Sequence, residues 1–143
     1  MTRRLSIMLT AAITLAAALA ACGVKATLPP DLFPQTVSGV WNRTGLRDLP
    51  VDESPDPVPR NSVVQIRAAA YKGPGEIEAR VYLLDSAEVG AALGTRWRPS
   101  ADTVFFNHGP YFVVIKWQSP DRRALQEFVA ELQKKLGAVA GKS

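Results

Sequence analysis

The sequence predicts an α+β domain: an antiparallel sheet from two ββα-like units with helices on one face, placed behind an N-terminal segment that is no part of the domain. Three observations predict it. Residues 63–84 alternate with period two about Lys72-Gly73-Pro74-Gly75, and residues 103–117 repeat a strand-turn-strand plan about His108-Gly109-Pro110. Each of these hairpins is followed by apolar residues spaced three or four apart, the period of a half-buried helix.

Arg3 and Arg4 open the chain, and an uncharged Ala- and Leu-rich run extends from Leu5 to Ala21. The run falls short of the roughly 20 apolar residues that a membrane-crossing helix needs. Charge, apolar stretch and small residues in this order make an export signal over residues 1–21. Ser6 stands where a twin-arginine signal carries a bulky apolar residue, so the general secretory route is expected.

The run ends in Leu19-Ala20-Ala21-Cys22, which resembles the lipobox of bacterial lipoproteins at all four positions. The resemblance implies cleavage between Ala21 and Cys22 and a diacylglyceryl thioether on the Cys22 sulfur. It also implies an N-acyl chain such as palmitate on the new terminal amine. Two or more chains anchor a protein stably where one does not. Gly23, in place of an aspartate, implies delivery to the outer membrane, facing the periplasm, under the common enterobacterial sorting rule.

Removal of residues 1–21 leaves 122 residues, enough for a single core. Loss of Arg3 and Arg4 also lowers the formal net charge from +4 to +2, so bulk electrostatics give no reason to expect a nucleic-acid partner. Cys22 is the sole cysteine; with its sulfur lipidated the domain has no disulfide and relies on packing.

Residues 22–36 read as a proline-rich tether, because Pro29, Pro30 and Pro34 favour extended backbone; Leu32 and Phe33 are apolar enough to touch the domain. The domain itself is expected over 37–143. Its first strand is expected in Val37–Arg43 between Gly39 and Gly45, and residues 46–61, with four acidic residues among four prolines, read as a loop without secondary structure. In the first hairpin, Val64, Ile66, Ala68 and Ala70 and then Ile77, Ala79, Val81 and Leu83 form one buried face. Asp85 and Glu88 suggest a capping box for a helix bearing Val89, Leu93 and Trp97 and ended by Pro99. Tyr111 to Trp117 reads as a central strand buried on both faces. Ser119-Pro120 should start a helix whose apolar side is Leu125, Phe128, Val129, Leu132 and Leu136, with a Glu131–Lys135 pair and a stop at Gly137.

Residues 32–136 resemble an uncharacterised family of bacterial exported proteins. The likeness is carried by Leu32-Phe33-Pro34, Gly39, Trp41, the Ala-Ala-Ala run before Tyr71, Val81-Tyr82 and Gly109-Pro110-Tyr111-Phe112-Val113. It implies a fold and no catalytic residues.

Catalytic candidates are few. His108 is the only histidine, too few for a histidine metal site, and Asp102, Ser119 and Asp121 have no spacing that builds a triad with it. Glu76 and Glu78 share a strand face with Arg80, which suits cross-strand pairing better than acid-base chemistry. Asn42-Arg43-Thr44 matches a glycosylation acceptor that a bacterial envelope protein has no use for, and Gly90 and Gly94 fit close helix-sheet contact better than a phosphate loop. Arg96-Trp97-Arg98 could grip an anion, with two guanidiniums beside an indole.

The expectation is therefore a lipid-anchored, non-enzymatic binding or scaffolding module with no metal and no cofactor beyond the lipid on Cys22. Its partners would be membrane lipid and an envelope protein. The alternative is a small-ligand or carbohydrate-binding lipoprotein with an aromatic pocket near Trp97, Tyr111 and Trp117.

Overall fold

A computed structural model describes residues 27–98, 100–118 and 121–140. The expected signal segment, Cys22, Pro99 and Ser119-Pro120 lie outside the described residues. The strands are β1 (Thr36–Val37), β2 (Trp41–Leu49), β3 (Val63–Lys72), β4 (Glu76–Leu84), β5 (Thr103–His108) and β6 (Tyr111–Gln118); helix α1 (Ala87–Arg96) follows β4 and α2 (Arg122–Ala140) follows β6. They form one antiparallel sheet in the order β1-β2-β3-β4-β6-β5. The domain is thus α+β, as its two hairpins and two helical periods indicate.

Register decides which residues share a face, and it revises the first hairpin. Ile66 lies opposite Tyr82 and Ala69 opposite Ala79, so Ile66, Ala68 and Ala70 share a face with Tyr82, Arg80 and Glu78 rather than with Ile77, Ala79, Val81 and Leu83. An irregularity between Val63 and Gln65 leaves Val64 at 48% exposure. Both faces of the sheet carry core.

Ile77, Ala79, Val81, Leu83, Tyr111, Val113 and Ile115 pack with Ala124, Leu125, Phe128, Leu132 and Leu136 of α2. The residues that alternate with them, Tyr82, Leu84, Phe112 and Val114, pack with Leu93 of α1 and, at its edge, with Val89 and Trp97. The hairpin end shows the same division: Gly94 of α1 faces the Asn107 side chain, while Gly137 of α2 faces that of the next residue, His108. Successive strand residues point to opposite faces, so α1 and α2 cover different faces at β4 and β6. Val81 to Leu84 and Tyr111 to Ile115 are apolar at every position, so each side of these strands must be covered.

Further boundaries also move. Strand β2 continues to Leu49, and the rest of the expected loop contains short 3-10 turns at Val51–Glu53 and Arg60–Ser62. Val58 is buried against the α1 cluster, and Arg60 Nε donates to the Ser54 carbonyl at 3.1 Å, so this segment braces the sheet. Ser86, not Asp85, caps α1, its hydroxyl accepting from the Val89 N–H at 3.3 Å. At α2 the Asp121 carboxylate accepts from the Ala124 N–H at 3.0 Å. The helix passes through Gly137 to Ala140. Lys135 lies 3.9 Å from Asp31, while Arg123 and Glu127 form an i, i+4 pair at 3.4 Å.

The domain begins earlier than expected. Leu28, Leu32 and Phe33 are core residues. The carbonyls around them accept hydrogen bonds from three strands: Thr27 from Tyr111 at 3.4 Å, Pro29 from Arg67 at 3.1 Å, Phe33 from Arg43 and Pro34 from Tyr71 at 2.7 Å. Residues 28–36 are therefore built into the fold and are not tether.

Candidate functional site

On the α1 face the cover stops short. The row Leu49, Ile66, Tyr82 and Phe112 lies in the core beside α1. Moving away from it, the next row is Arg47, Ala68, Arg80 and Val114, and the one after is Gly45, Ala70, Glu78, Lys116 and Thr103. Small residues form much of the floor, and charged residues rise from it. A cavity of about 480 Å³ opens over Gly45, Ala68 and Ala70, with Arg47, Glu78 and Lys116 in its walls. A second, also about 480 Å³, lies beside the end of α1 between Arg96, Trp97 and Arg98 on one side and Val114 and Lys116 on the other. Lys116 lines both, so the two cavities adjoin along the sheet and are described together as one trough.

The acids of the trough are Glu76, Glu78 and Asp102, which have partners, and Asp56, which lines the second cavity with Arg96 and Arg98. Glu78 accepts from Arg80 at 3.1 Å, and Glu76 lies 3.7 Å from Lys72. Burial by itself would lower the Arg80 pKa, but hydrogen bonds to Tyr82 and Glu78 and their charges carry it upward. The hydroxyls of Ser100 and Thr103 donate to the Asp102 carboxylate, at 3.0 and 3.1 Å, and hold its pKa below the usual value with a smaller contribution from Lys116. Arg47, Arg96 and Arg98 are exposed and make no hydrogen bond or ion pair with another described residue. Lys116 is also exposed and meets Asp102 only through space. An excess of unpaired positive charge thus lines the trough.

The sequence-derived site residues fall as follows. Arg96, Trp97 and Arg98 meet in the second cavity, with the indole tilted against Phe112 at 5.3 Å and Phe105 at 6.1 Å. Tyr111 and Trp117 belong to the opposite face: Tyr111 is buried in the α2 cluster and Trp117 packs at its margin. The sheet itself separates them from Trp97. The expected aromatic pocket of Trp97, Tyr111 and Trp117 is therefore not formed, because strand alternation sends odd-numbered residues of β6 away from α1. His108 ends β5 beside α2, and no group of three or more His, Cys, Asp or Glu suited to a metal occurs among the described residues. Cys22, the expected lipidation residue, and Ala21, its expected cleavage neighbour, lie outside the described residues.

From sequence, Arg47 and Lys116 are not singled out, and Arg80 figures only as a pairing partner of Glu76 and Glu78. The legible signal was Glu78 and Arg80 on a strand whose later positions are all apolar, which marks a face covered at one end only. Comparison of the chain with protein-family models, with curated proteins and with solved structures finds no match.

Proposed function

We propose that the chain is a lipid-anchored, non-enzymatic module of the bacterial cell envelope, held by Cys22 at the periplasmic side of the outer membrane and presenting the open half of its sheet to a partner. The observation that carries the reading is Leu19-Ala20-Ala21-Cys22 after a charged and then apolar run. Alanines before the cysteine give a peptidase an unobstructed backbone, and the cysteine thiolate is the nucleophile that takes the diacylglyceryl group. The position of the domain supports it further. Leu28 is already core, so five residues, six Cα steps that span at most about 20 Å, separate it from Cys22. The domain would sit close to the headgroups.

The internal plan is also consistent with a duplicated ββα unit. Hairpins β3–β4 and β5–β6 each precede a helix, and β4 pairs with β6 so that the two units flank a central antiparallel pair.

Intact-mass spectrometry of the detergent-extracted protein tests the anchor. A chain beginning at Cys22 with the added mass of two or three acyl chains is expected. Cys22→Ser should accumulate as unlipidated precursor, since a serine hydroxyl supplies no thiolate equivalent near neutral pH. A wild-type chain starting elsewhere, or at an unmodified Cys22, overturns the proposal.

A further inference from the structure

We infer that the trough on the α1 face binds an extended anionic polysaccharide, one whose carboxylate or phosphate groups repeat along the chain. The inference deepens the proposed binding function and rests on that reading for its setting in the envelope, though its physical basis is local. Arg47 is on β2, Lys116 on β6, and Arg96 and Arg98 stand at the end of α1. Neighbouring strands are about 4.8 Å apart, so the three strand steps from β2 to β6 separate the backbones of Arg47 and Lys116 by roughly 14 Å. One phosphate or carboxylate would have to draw both long side chains flat across the floor to meet both ends of that line. A ligand with several anions spaced along it need not.

Shape narrows the class. The cations are set around a concave floor of Gly45, Ala68 and Ala70, which admits a strand-like polymer more readily than a flat bilayer surface. Glu78 is engaged by Arg80, and the charges of Asp102 and Asp56 offset only part of the four cations Arg47, Arg96, Arg98 and Lys116 that flank the floor. A weakly hydrated guanidinium pair suits bidentate contacts with carboxylate or phosphate. The carbohydrate ligand expected at an aromatic pocket is thus reassigned to a cationic trough.

The test uses the full-length protein in detergent, with polygalacturonate as the repeating-carboxylate probe and dextran as the neutral one. Polygalacturonate should bind and dextran should not, and added salt should weaken the binding. Combined Arg96→Glu and Arg98→Glu should weaken it by roughly tenfold or more, since each change turns an attraction for the anion into a repulsion. Arg47→Glu at the far end should weaken it too, while Lys134→Glu on α2 changes net charge equally and should leave it intact. Circular dichroism and melting confirm that each variant is folded; Arg47→Glu and Lys134→Glu are single surface changes that keep the comparison available if the double variant is not. Cys22→Ser should bind as wild type does, which separates failure of the anchor from failure of the trough. Equal weakening by Lys134→Glu, equal binding of dextran, or binding only to phosphatidylglycerol vesicles would each overturn the inference, the last in favour of a membrane surface.

Discussion

The indole Nε1–H of Trp41 donates to the carbonyl oxygen of Ala124 at 3.0 Å, joining the start of β2 to the first turn of α2 across 83 residues of chain. The Phe128 ring stands edge-on to the same indole at 6.2 Å and to Tyr71 at 5.0 Å, so the bond is enclosed by apolar atoms. Trp41→Phe keeps an aromatic ring but removes the donor. A loss of about 1–3 kcal/mol is expected, read as a lower urea midpoint at unchanged slope.

Phe128 and Leu132 test the α2 face more severely. Phe128→Ala should cost about 3–5 kcal/mol and Leu132→Ala about 2–5 kcal/mol, because each leaves a cavity between helix and sheet. Val64→Ala, on an exposed position, should stay within about 0.5 kcal/mol. Equal melting temperatures for Phe128→Ala and wild type would contradict the packing.

Two glycines of one helix should respond with opposite sign. A Cβ on Gly90 would lie 2.7 Å from the Gly109 carbonyl oxygen, a backbone atom that can yield only by moving the β5–β6 turn. Crowding of about 1–3 kcal/mol then outweighs the helical gain of roughly 1 kcal/mol from alanine, so Gly90→Ala should melt lower. At Gly94 the nearest atom is Asn107 Oδ1 at 3.3 Å, the end of an exposed side chain. Gly94→Ala should melt as wild type or higher.

Alkaline titration reports on the buried phenols. Burial pushes the Tyr71 hydroxyl up from 10.0 to about 12, against a lesser opposing pull from Arg43. Tyr82 and Tyr111 are also raised by burial, the former opposed by Arg80. The folded chain therefore keeps protons that the unfolded chain has released above pH 10, and the stability this contributes is complete below pH 10 and lost as pH rises toward about 12. Tyrosinate absorbance should lag behind that of the urea-unfolded protein, with melting temperature falling over the same interval. Coincident titrations would refute the burial of Tyr71.

Local signals in the sequence carried most of the elements, and three-dimensional register carried what they could not. The Lys72-Gly73-Pro74-Gly75 turn and the spacing of Phe128, Leu132 and Leu136 identify a hairpin and a helix without reference to the rest of the chain. Ile66 and Ile77 each lie in an apolar-alternating run, but which of the two faces each run supplies depends on the pairing of Ile66 with Tyr82. Residues 46–49 seemed too polar for a strand because Arg47 and Asp48 lie in an exposed part of the sheet, where pairing with β3 sustains the strand with little help from side-chain burial. Proline content suggested a tether at 28–36, although Leu28, Leu32 and Phe33 supply enough apolar surface to fix extended backbone to the core. The trough was half legible: Arg96-Trp97-Arg98 is contiguous, whereas Arg47 and Lys116 join it only through sheet order.

If Cys22 carries the proposed anchor, the attachment of residues 27–34 has a mechanical consequence. A pull on residue 22 would enter through backbone carbonyls gripped by side chains from β2, β3 and β6, with Leu28, Leu32 and Phe33 seated between them. Force would then spread across strands on both sides of the sheet centre instead of peeling the two-residue edge strand β1 first. The segment would then act as strain relief does where a cable enters its housing, letting the anchored end move while the sheet keeps its register.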